Sequence, residues 1–543
     1  MIKASSRSIV ATPTVDDFKV LIDQLQRQNA ALKLQVQSLQ EQVALLKRYI
    51  FGHKSEKLPP GLMADSIDLF AGELPSCETL PETVQIPAHQ RVLQAKPGHG
   101  REMLPDNLPC EVTTLDVSEA EKICPCCGKA RVCIGNDVRE ELDIIPPQFI
   151  KHRYLRPKYA CRECTEEGVA QAEPLVSVID KGIPSVGLVT WIILSKYLDH
   201  LPLYRIASQF KRWGVEVAET TMIGWITSVF ELLGPIHQAL EHEIRTCGCL
   251  HADETTLRVQ RGEKDKLGLG KSSVDYLWAV LGSDPEGSPV GVSFLYADGR
   301  KHSVAQTLLQ GVVSGYLHTD GYAAYDSLCE KYPEIVHAAC WAHMRRKFNE
   351  ALQCGHSRAA QPLSAIAKIY QSNRRIEKLV ARLHRRWNRW GQDVSQERID
   401  QIIVDRRTKW MKPWMEHLKT WNHKERMDAT PKGKFGTALV YLYNQQSKLE
   451  QVLSHARVSL DNNIIERAIR PIAIGRKNWM FAGSREGAER AALLISLVGT
   501  CKLLDIEPTE YFKDVLLRAR LRPATPEACK DLTPRQWKLA RAK

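Results

Sequence analysis

Apolar residues recur at alternating steps of four and three from Phe18 to Ile50. Position d of this heptad holds Phe18, Leu25, Leu32, Leu39 and Leu46. Position a holds Ile22, Asn29, Val36, Val43 and Ile50. β-Branched residues at a with Leu at d favour two parallel strands, and a single Asn at a selects register. The seam is narrow and lasts more than four heptads, which predicts a leucine-zipper coiled coil over 18–50 rather than a helix packed on its own domain. Ile22, Leu25, Asn29, Leu32, Val36, Leu39, Val43 and Leu46 are its dimerisation residues. Residues 1–17 read as a disordered tail.

The pattern then changes several times. Prolines punctuate 51–109, which reads as a linker. A module with strand-like runs follows over 110–180. Residues 181–246 have the helical period. Within them "LPLYRIASQFKRWGVEVAETTMIGWITSVFELL" outlines a helix-turn-helix, with a helix ending near Gly214. Such a unit can seat a helix in a major groove; a plain helical hairpin fits the pattern equally well.

From 247 the period shortens to that of strands. "GCLHADETTLRV", "SVDYLWAVLGS" and "PVGVSFLYADG" form a predicted antiparallel meander, followed by alternating helices and strands in the order βββαβαβα. That is the order of a ribonuclease H-like sheet. The expected catalytic domain spans 247–354 and closes over 456–510. Between its parts, 355–455 reads as an all-helical insertion, and 511–543 as a C-terminal tail. The fold class is multidomain α+β.

Charge sharpens this division. The chain of 543 residues carries a net +12. From Gly355 to Glu450 there are 20 Lys and Arg against 9 Asp and Glu, so this block can hold nearly the whole excess. Such a block tracks phosphates. Its five tryptophans, Trp387, Trp390, Trp410, Trp414 and Trp421, read as core. No apolar run approaches the ~18 residues that span a bilayer, and the N-terminus has no secretory signal. A cytoplasmic protein without a membrane partner is expected, with cysteines reduced or metal-bound.

Four of the 15 cysteines form two knuckles, Cys124/Cys127 and Cys161/Cys164. CxxC…CxxC supplies four thiolates to a tetrahedral, closed structural Zn²⁺ site. Cys126 and Cys133 are alternative ligands.

The carboxylates carry the chemistry. Asp253 lies on the first strand of the meander and Asp320 ends the fourth, before Gly321. Strand ends deliver side chains to a cleft, and paired carboxylates suit hard cations such as Mg²⁺ (or Mn²⁺). Glu254 is expected on the opposite face, because side chains alternate along a strand. In "LDNNIIERAIRP", Asp461 caps a predicted helix, Pro471 stops it, and Glu466 lies on its polar side. Glu466 paired with Arg470 is an inert alternative worth roughly 0.2–0.5 kcal/mol. With the two aspartates, Glu466 instead becomes a third metal ligand. Arg467, Arg470, Arg476 and Lys477 are then the candidate DNA contacts. Two-metal phosphoryl transfer on a DNA backbone fits this set.

The zipper followed by "FGHKSEK", the "CPCCG…CREC" finger, "HADET", "HTDGYAAY", "HAACWAHMRRKF" and "DNNIIERAIRPIAIGRKNWMFAGS" together resemble the transposases of the insertion sequence 66 family, in order and over nearly the whole chain. The resemblance implies a DDE triad at Asp253, Asp320 and Glu466, a helical insertion before the Glu helix, and companion small proteins encoded with the transposase. It implies a bacterial, nucleoid-associated enzyme acting on double-stranded DNA, both element ends and target, as a homodimer or higher oligomer. Cys340 and His343 of the "CWAH" motif read as a buried thiol and a helix-start His, not as metal ligands. A non-catalytic DNA-binding scaffold and a hydrolytic nuclease are the rival readings.

Overall fold

The computed structural model describes residues 147–160, 169–180, 182–264, 270–430 and 433–542, with isolated positions between 28 and 142. The zipper a and d positions, the linker and the four knuckle cysteines lie outside the described residues. The chain divides into two compact units, Ser66–Arg153 and the remainder. All described helices and strands belong to the second. No described helix is long and apolar enough to cross a membrane.

A short antiparallel pair, β1 (Lys158–Ala160) and β2 (Val169–Gln171), precedes three helices. These are α1 (Val186–Tyr197), α2 (Leu203–Arg212) and α3 (Glu219–Arg245). α2 ends near Gly214, as the sequence suggests; Gly214 takes φ +83°, which a glycine adopts without steric cost. The rings of Trp191, Phe210 and Trp213 pack together between α1 and the end of α2.

The centre is a five-stranded mixed sheet in the order β5-β4-β3-β6-β7. β3 (Cys249–Lys264), β4 (Gly270–Ser283) and β5 (Pro289–Ala297) form the antiparallel meander. After α4 (His302–Leu308), β6 (Gly315–Thr319) returns parallel to β3. After α5 (Ala324–Lys331), β7 (Ile335–Ala339) lies parallel to β6. Alternation places Leu257 and Val259 of β3 with Ile465, Ile469 and Ile472 in one buried cluster. β5 is an edge strand, and its backbone is covered. Ser496 Oγ accepts from Phe294 N–H at 2.8 Å, and Thr500 Oγ1 accepts from Val292 N–H at 3.1 Å. Covering an edge in this way prevents pairing with another chain.

α6 (Trp341–Gln353) leaves β7. The basic insertion then builds α7 (Ala360–Arg389), α8 (Gln396–Trp410), α9 (Lys412–Asp428) and α10 (Lys434–Ser454). Its apolar core is continuous with α6 and the end of β7. Of its five tryptophans, Trp421 is buried and Trp410 and Trp414 pack partly against the core. The expectation of core placement fails for Trp390, which is exposed, with the Arg386 guanidinium 4.2 Å from its ring centre. Trp390 is the C-cap residue at the end of α7, just before Gly391.

α11 (Asn463–Trp479) carries Glu466. Pro471 does not stop this helix but sits inside it. An interior proline costs about 3 kcal/mol. Burying Ile469 and Ile472 on either side returns roughly 1.5–3 kcal/mol each, and the helix continues. α12 (Arg485–Leu503) covers the sheet. α13 (Pro508–Arg520), α14 (Pro526–Cys529) and α15 (Pro534–Arg541) form the C-terminal segment. This expected tail is folded, because Tyr511, Phe512, Val515, Leu516 and Trp537 are all buried.

Candidate active site

Backbone register brings the two aspartates together. His251 of β3 pairs with His318 of β6 in a parallel ladder. Asp253 lies two residues further along β3, and Asp320 two residues beyond His318, just past the end of β6. Gly321 then turns the chain with φ +90°, and Asp320 Oδ1 accepts from Tyr322 N–H at 2.9 Å. Carboxylate oxygens of Asp253, Glu254 and Asp320 all lie within 4.8 Å of one another.

Glu254 is therefore part of the cluster, contrary to the expectation from strand alternation. Alternation sets only the Cα–Cβ direction. The Asp253 carboxylate folds back to accept from Glu254 N–H at 2.8 Å, and the two oxygens converge where β3 and β6 part. The Glu254 side chain is only 4% exposed and is ion-paired with Arg300. Arg300 is itself held: its guanidinium lies 4.2 Å from the Tyr322 ring centre, and Tyr322 OH donates to its backbone oxygen at 2.6 Å.

Burial, and then the neighbouring Asp320 and Glu254 charges, push the Asp253 carboxyl up to about 7. Burial and Asp320 likewise push Glu254 up to about 7, although Arg300 opposes the change. Glu466 also contributes to the raised Asp253 value. One arginine does not balance this charge.

Glu466 approaches from α11, in its first turn. It does not meet Arg470. Its Oε2 lies 3.5 Å from Arg346 Nη2, and its Oε1 lies 3.7 Å from His343 Nε2, both on α6. Burial and Arg346 lower the His343 pKa, so this imidazole is neutral at pH 7. Cys340, His343 and Glu466 also place potential ligand atoms within 4.8 Å of one another. The sequence reading excluded Cys340 and His343 as ligands; their proximity to Glu466 comes only from folding.

The start of α11 is fixed by a buried network. Asn462, at 0% exposure, pairs through Oδ1 with His251 Nδ1 at 2.8 Å. Its side-chain amide donates to Ala252 O at 3.0 Å, and its backbone N–H points at Cys340 Sγ at 3.2 Å. Asp461 Oδ1 accepts from Asn463 N–H at 3.2 Å, but the N-cap position falls to Asn462 rather than to Asp461 as expected, and no side chain caps the helix; Tyr370 OH of α7 donates to Asp461 Oδ2 at 3.3 Å. Ser459 N–H donates to His318 Nε2 at 3.1 Å. Neither Asn462 nor His251 was singled out by sequence. Their buried partners lie 211 positions apart.

An oxygen-only donor set suits a hard divalent cation. Glu466 Oε1 is buried without a hydrogen-bond partner among the described residues, as expected of an oxygen left free for a ligand, whereas Glu254 also has the Tyr325 hydroxyl beside it. Arg467, Arg470 and Lys477 are exposed on α11. Arg476 is half-buried and donates to the backbone oxygen of Thr256 and, at 2.6 Å, to its Oγ1.

The profile described as "Transposase IS66 family" matches residues 181–490, from α1 through Asp253, Asp320 and Glu466 into α12. The chain belongs to the IS66 transposase family. A second profile, "zinc-finger binding domain of transposase IS66", matches residues 121–165, which include Cys124, Cys127, Cys161 and Cys164. The zinc-finger domain of this transposase supports a structural zinc. A third, "Transposase C of IS166 homeodomain", matches residues 38–112. Among similar proteins of Sinorhizobium fredii, the uncharacterized protein y4qI is 34% identical over 74% of this chain and 72% of its own length. The uncharacterized protein y4jD is 30% identical over 95% of this chain and 98% of its own length.

Proposed function

We propose that this IS66 family transposase cleaves the DNA at its element ends and joins the freed 3′ hydroxyls to target DNA through a DDE site. Asp253, Asp320 and Glu466 are its metal-binding catalytic residues. The observation that carries this reading is the uncompensated convergence of Asp253 and Asp320 beneath the helix bearing Glu466. The strand order β5-β4-β3-β6-β7 supports a ribonuclease H-like catalytic domain spanning 247–354 and 456–510, with 355–455 as its helical insertion.

Asp253, Asp320 and Glu466 would hold divalent cations, Mg²⁺ or Mn²⁺, which when bound would stabilise the charge developing in an in-line phosphoryl displacement. The chain's own part is orientation. Asn462 and His251 tie the Glu466 helix to the strand bearing Asp253. Arg346 holds the Glu466 carboxylate from α6, with the His343 imidazole beside it. Arg300 offsets part of the Glu254 charge. The exposed Arg467, Arg470 and Lys477, with Arg476 and the basic insertion, face the negative charge of DNA. In the first step water attacks a phosphodiester and a 3′ hydroxyl leaves. In the second that hydroxyl attacks a target phosphodiester and displaces another 3′ oxygen. The number of phosphodiester bonds is conserved in the joining step.

The zipper over 18–50 pairs two chains so that two element ends are held together. The zinc module and the 181–246 helices bind those ends. Incubation with element-end DNA and Mg²⁺ tests the reading. Wild type nicks the 3′ end and joins strands. Asp253→Asn, Asp320→Asn and Glu466→Gln each lose both steps while retaining end binding. Full cleavage by any one of them removes that residue from the site.

A further inference from the structure

The turn after the Glu466 helix carries an unexplained strain. Met480 takes φ +61° and ψ −44°, and Phe481 N–H donates to Trp479 O at 2.7 Å. An i to i+2 hydrogen bond around a residue of this conformation is a γ-turn of the rare, strained hand. A non-glycine residue in such a conformation costs on the order of 1–3 kcal/mol and persists only where the surroundings impose it.

Here they do. Upstream, Met480 N–H donates to Arg476 O at 3.0 Å. Downstream, Ala482 N–H donates to Arg258 O at 2.8 Å and Gln260 N–H donates to Ala482 O at 2.9 Å, adding a one-residue parallel bridge to β3. The turn therefore holds two large apolar side chains outward: Met480 is 66% exposed and Phe481 41%. Met480 in particular, at the strained position itself, returns little packing energy for the strain.

These side chains border an open cavity of about 380 Å³ whose other walls are Arg258, Gln260, Ser272 and Arg476. Its size is within the range of small-ligand sites, roughly 300–1,000 Å³. Its chemistry is mixed. Two guanidiniums suit a phosphate, an amide and a hydroxyl suit a base edge, and an aromatic ring with a thioether suits a base face. Arg258 lies five residues beyond Asp253 on the same strand, a rise of about 17 Å at ~3.3 Å per residue, and shares its face of the strand with Glu254 of the carboxylate cluster. That span equals about five steps of one DNA strand at ~3.4 Å each.

We propose that this cavity binds one unstacked DNA nucleotide, about five positions from the cleaved phosphodiester. Its base lies on Phe481, Met480 is wedged at the vacated step, and its phosphate lies between Arg258 and Arg476. Apolar wedges of this kind hold bases out of a duplex elsewhere. The assignment rests on the DNA-cleaving reading above, but its test is separable from it.

The experiment uses the full-length protein and element-end duplexes carrying 2-aminopurine at successive positions, with Ca²⁺ to allow binding without cleavage. Wild type should raise fluorescence several-fold at one position about five nucleotides from the nick. Phe481→Tyr should retain the rise and Phe481→Ala should abolish it, with unchanged melting temperatures. Arg258→Gln should keep the position of the signal but weaken binding about tenfold and lower the salt slope by about one. A rise at no position, or one that survives Phe481→Ala, overturns the proposal. Mg²⁺-dependent nicking without any fluorescence rise sinks this site alone. A Phe481-dependent rise without nicking leaves the site and rejects the cleavage reading.

Discussion

Asn462 Oδ1 lies 2.8 Å from His251 Nδ1, joining the residue that precedes the Glu466 helix to the strand that carries Asp253 two residues later. Both residues are buried, and burial drives the His251 pKa down to about 4, so a neutral imidazole makes the contact at pH 7. The pair sets the separation between the two halves of the carboxylate site.

Asn462→Ala leaves His251 Nδ1 and Ala252 O without partners. Each buried unsatisfied group costs about 1–3 kcal/mol. The variant should melt several degrees lower yet remain folded. Its more specific effect should be on metal use: the Mg²⁺ concentration for half-maximal cleavage should rise by about tenfold or more. Thermal melting and metal titration of the cleavage rate separate the two effects. An unchanged Mg²⁺ requirement would show that Asn462 serves stability alone.

The crowded carboxylates give a pH dependence with a definite sign. In the folded, metal-free protein Asp253 and Glu254 titrate at about 7, against about 4 in an unfolded chain. Because their folded values are raised, metal-free stability should fall as pH rises from about 4 to about 7 and then level off. Mg²⁺ affinity should rise over the same range, since protons and the cation compete for the same oxygens. Melting curves with EDTA and with Mg²⁺, between pH 5 and pH 8, read both slopes.

The same repulsion predicts that Asp253→Asn stabilises the metal-free protein while abolishing cleavage. At pH 8 the gain should be on the order of 1–4 kcal/mol. Removing Mg²⁺ should then lower the melting temperature of wild type but not of the variant. Equal Mg²⁺ responses in the two proteins would place the cation elsewhere.

The zinc module makes a stoichiometric prediction. Purified protein should carry about one zinc per chain, held by Cys124, Cys127, Cys161 and Cys164. If the two CxxC knuckles are the ligands, Cys124→Ser or Cys161→Ser should lose the metal and weaken end binding, whereas Cys126→Ser should keep both. Metal analysis after dialysis decides the ligand set.

A peptide spanning residues 18–50 should sediment as a parallel dimer. Asn29→Val should raise its stability and admit other oligomers, because the buried amide at an a position restricts register at a cost. A monomeric wild-type peptide in equilibrium sedimentation would reject the zipper.

Hydrophobic period alone determined much of this protein. Alternation along β3–β5 and the helical runs between β5 and α6 set the element order, and local composition separated the basic insertion from the sheet. Asp253 was legible as a carboxylate on the first strand of the meander, and Asp320 because it ends a strand just before the turn at Gly321. Glu466 was legible because its helix pairs an apolar arc with a polar edge.

Other features required the tertiary structure, since they depend on contacts that no local pattern encodes. Glu254 joins its neighbours because a carboxylate can fold back across the backbone that strand alternation separates. Pro471 remains helical because burial of Ile469 and Ile472 outweighs one missing hydrogen bond. Glu466 faces His343 and Arg346 rather than Arg470 because the N-terminal ends of α11 and α6 meet where Asn462 N–H points at Cys340 Sγ. The sequence specified which residues could bear charge; chain packing over some 200 positions decided which of those charges meet.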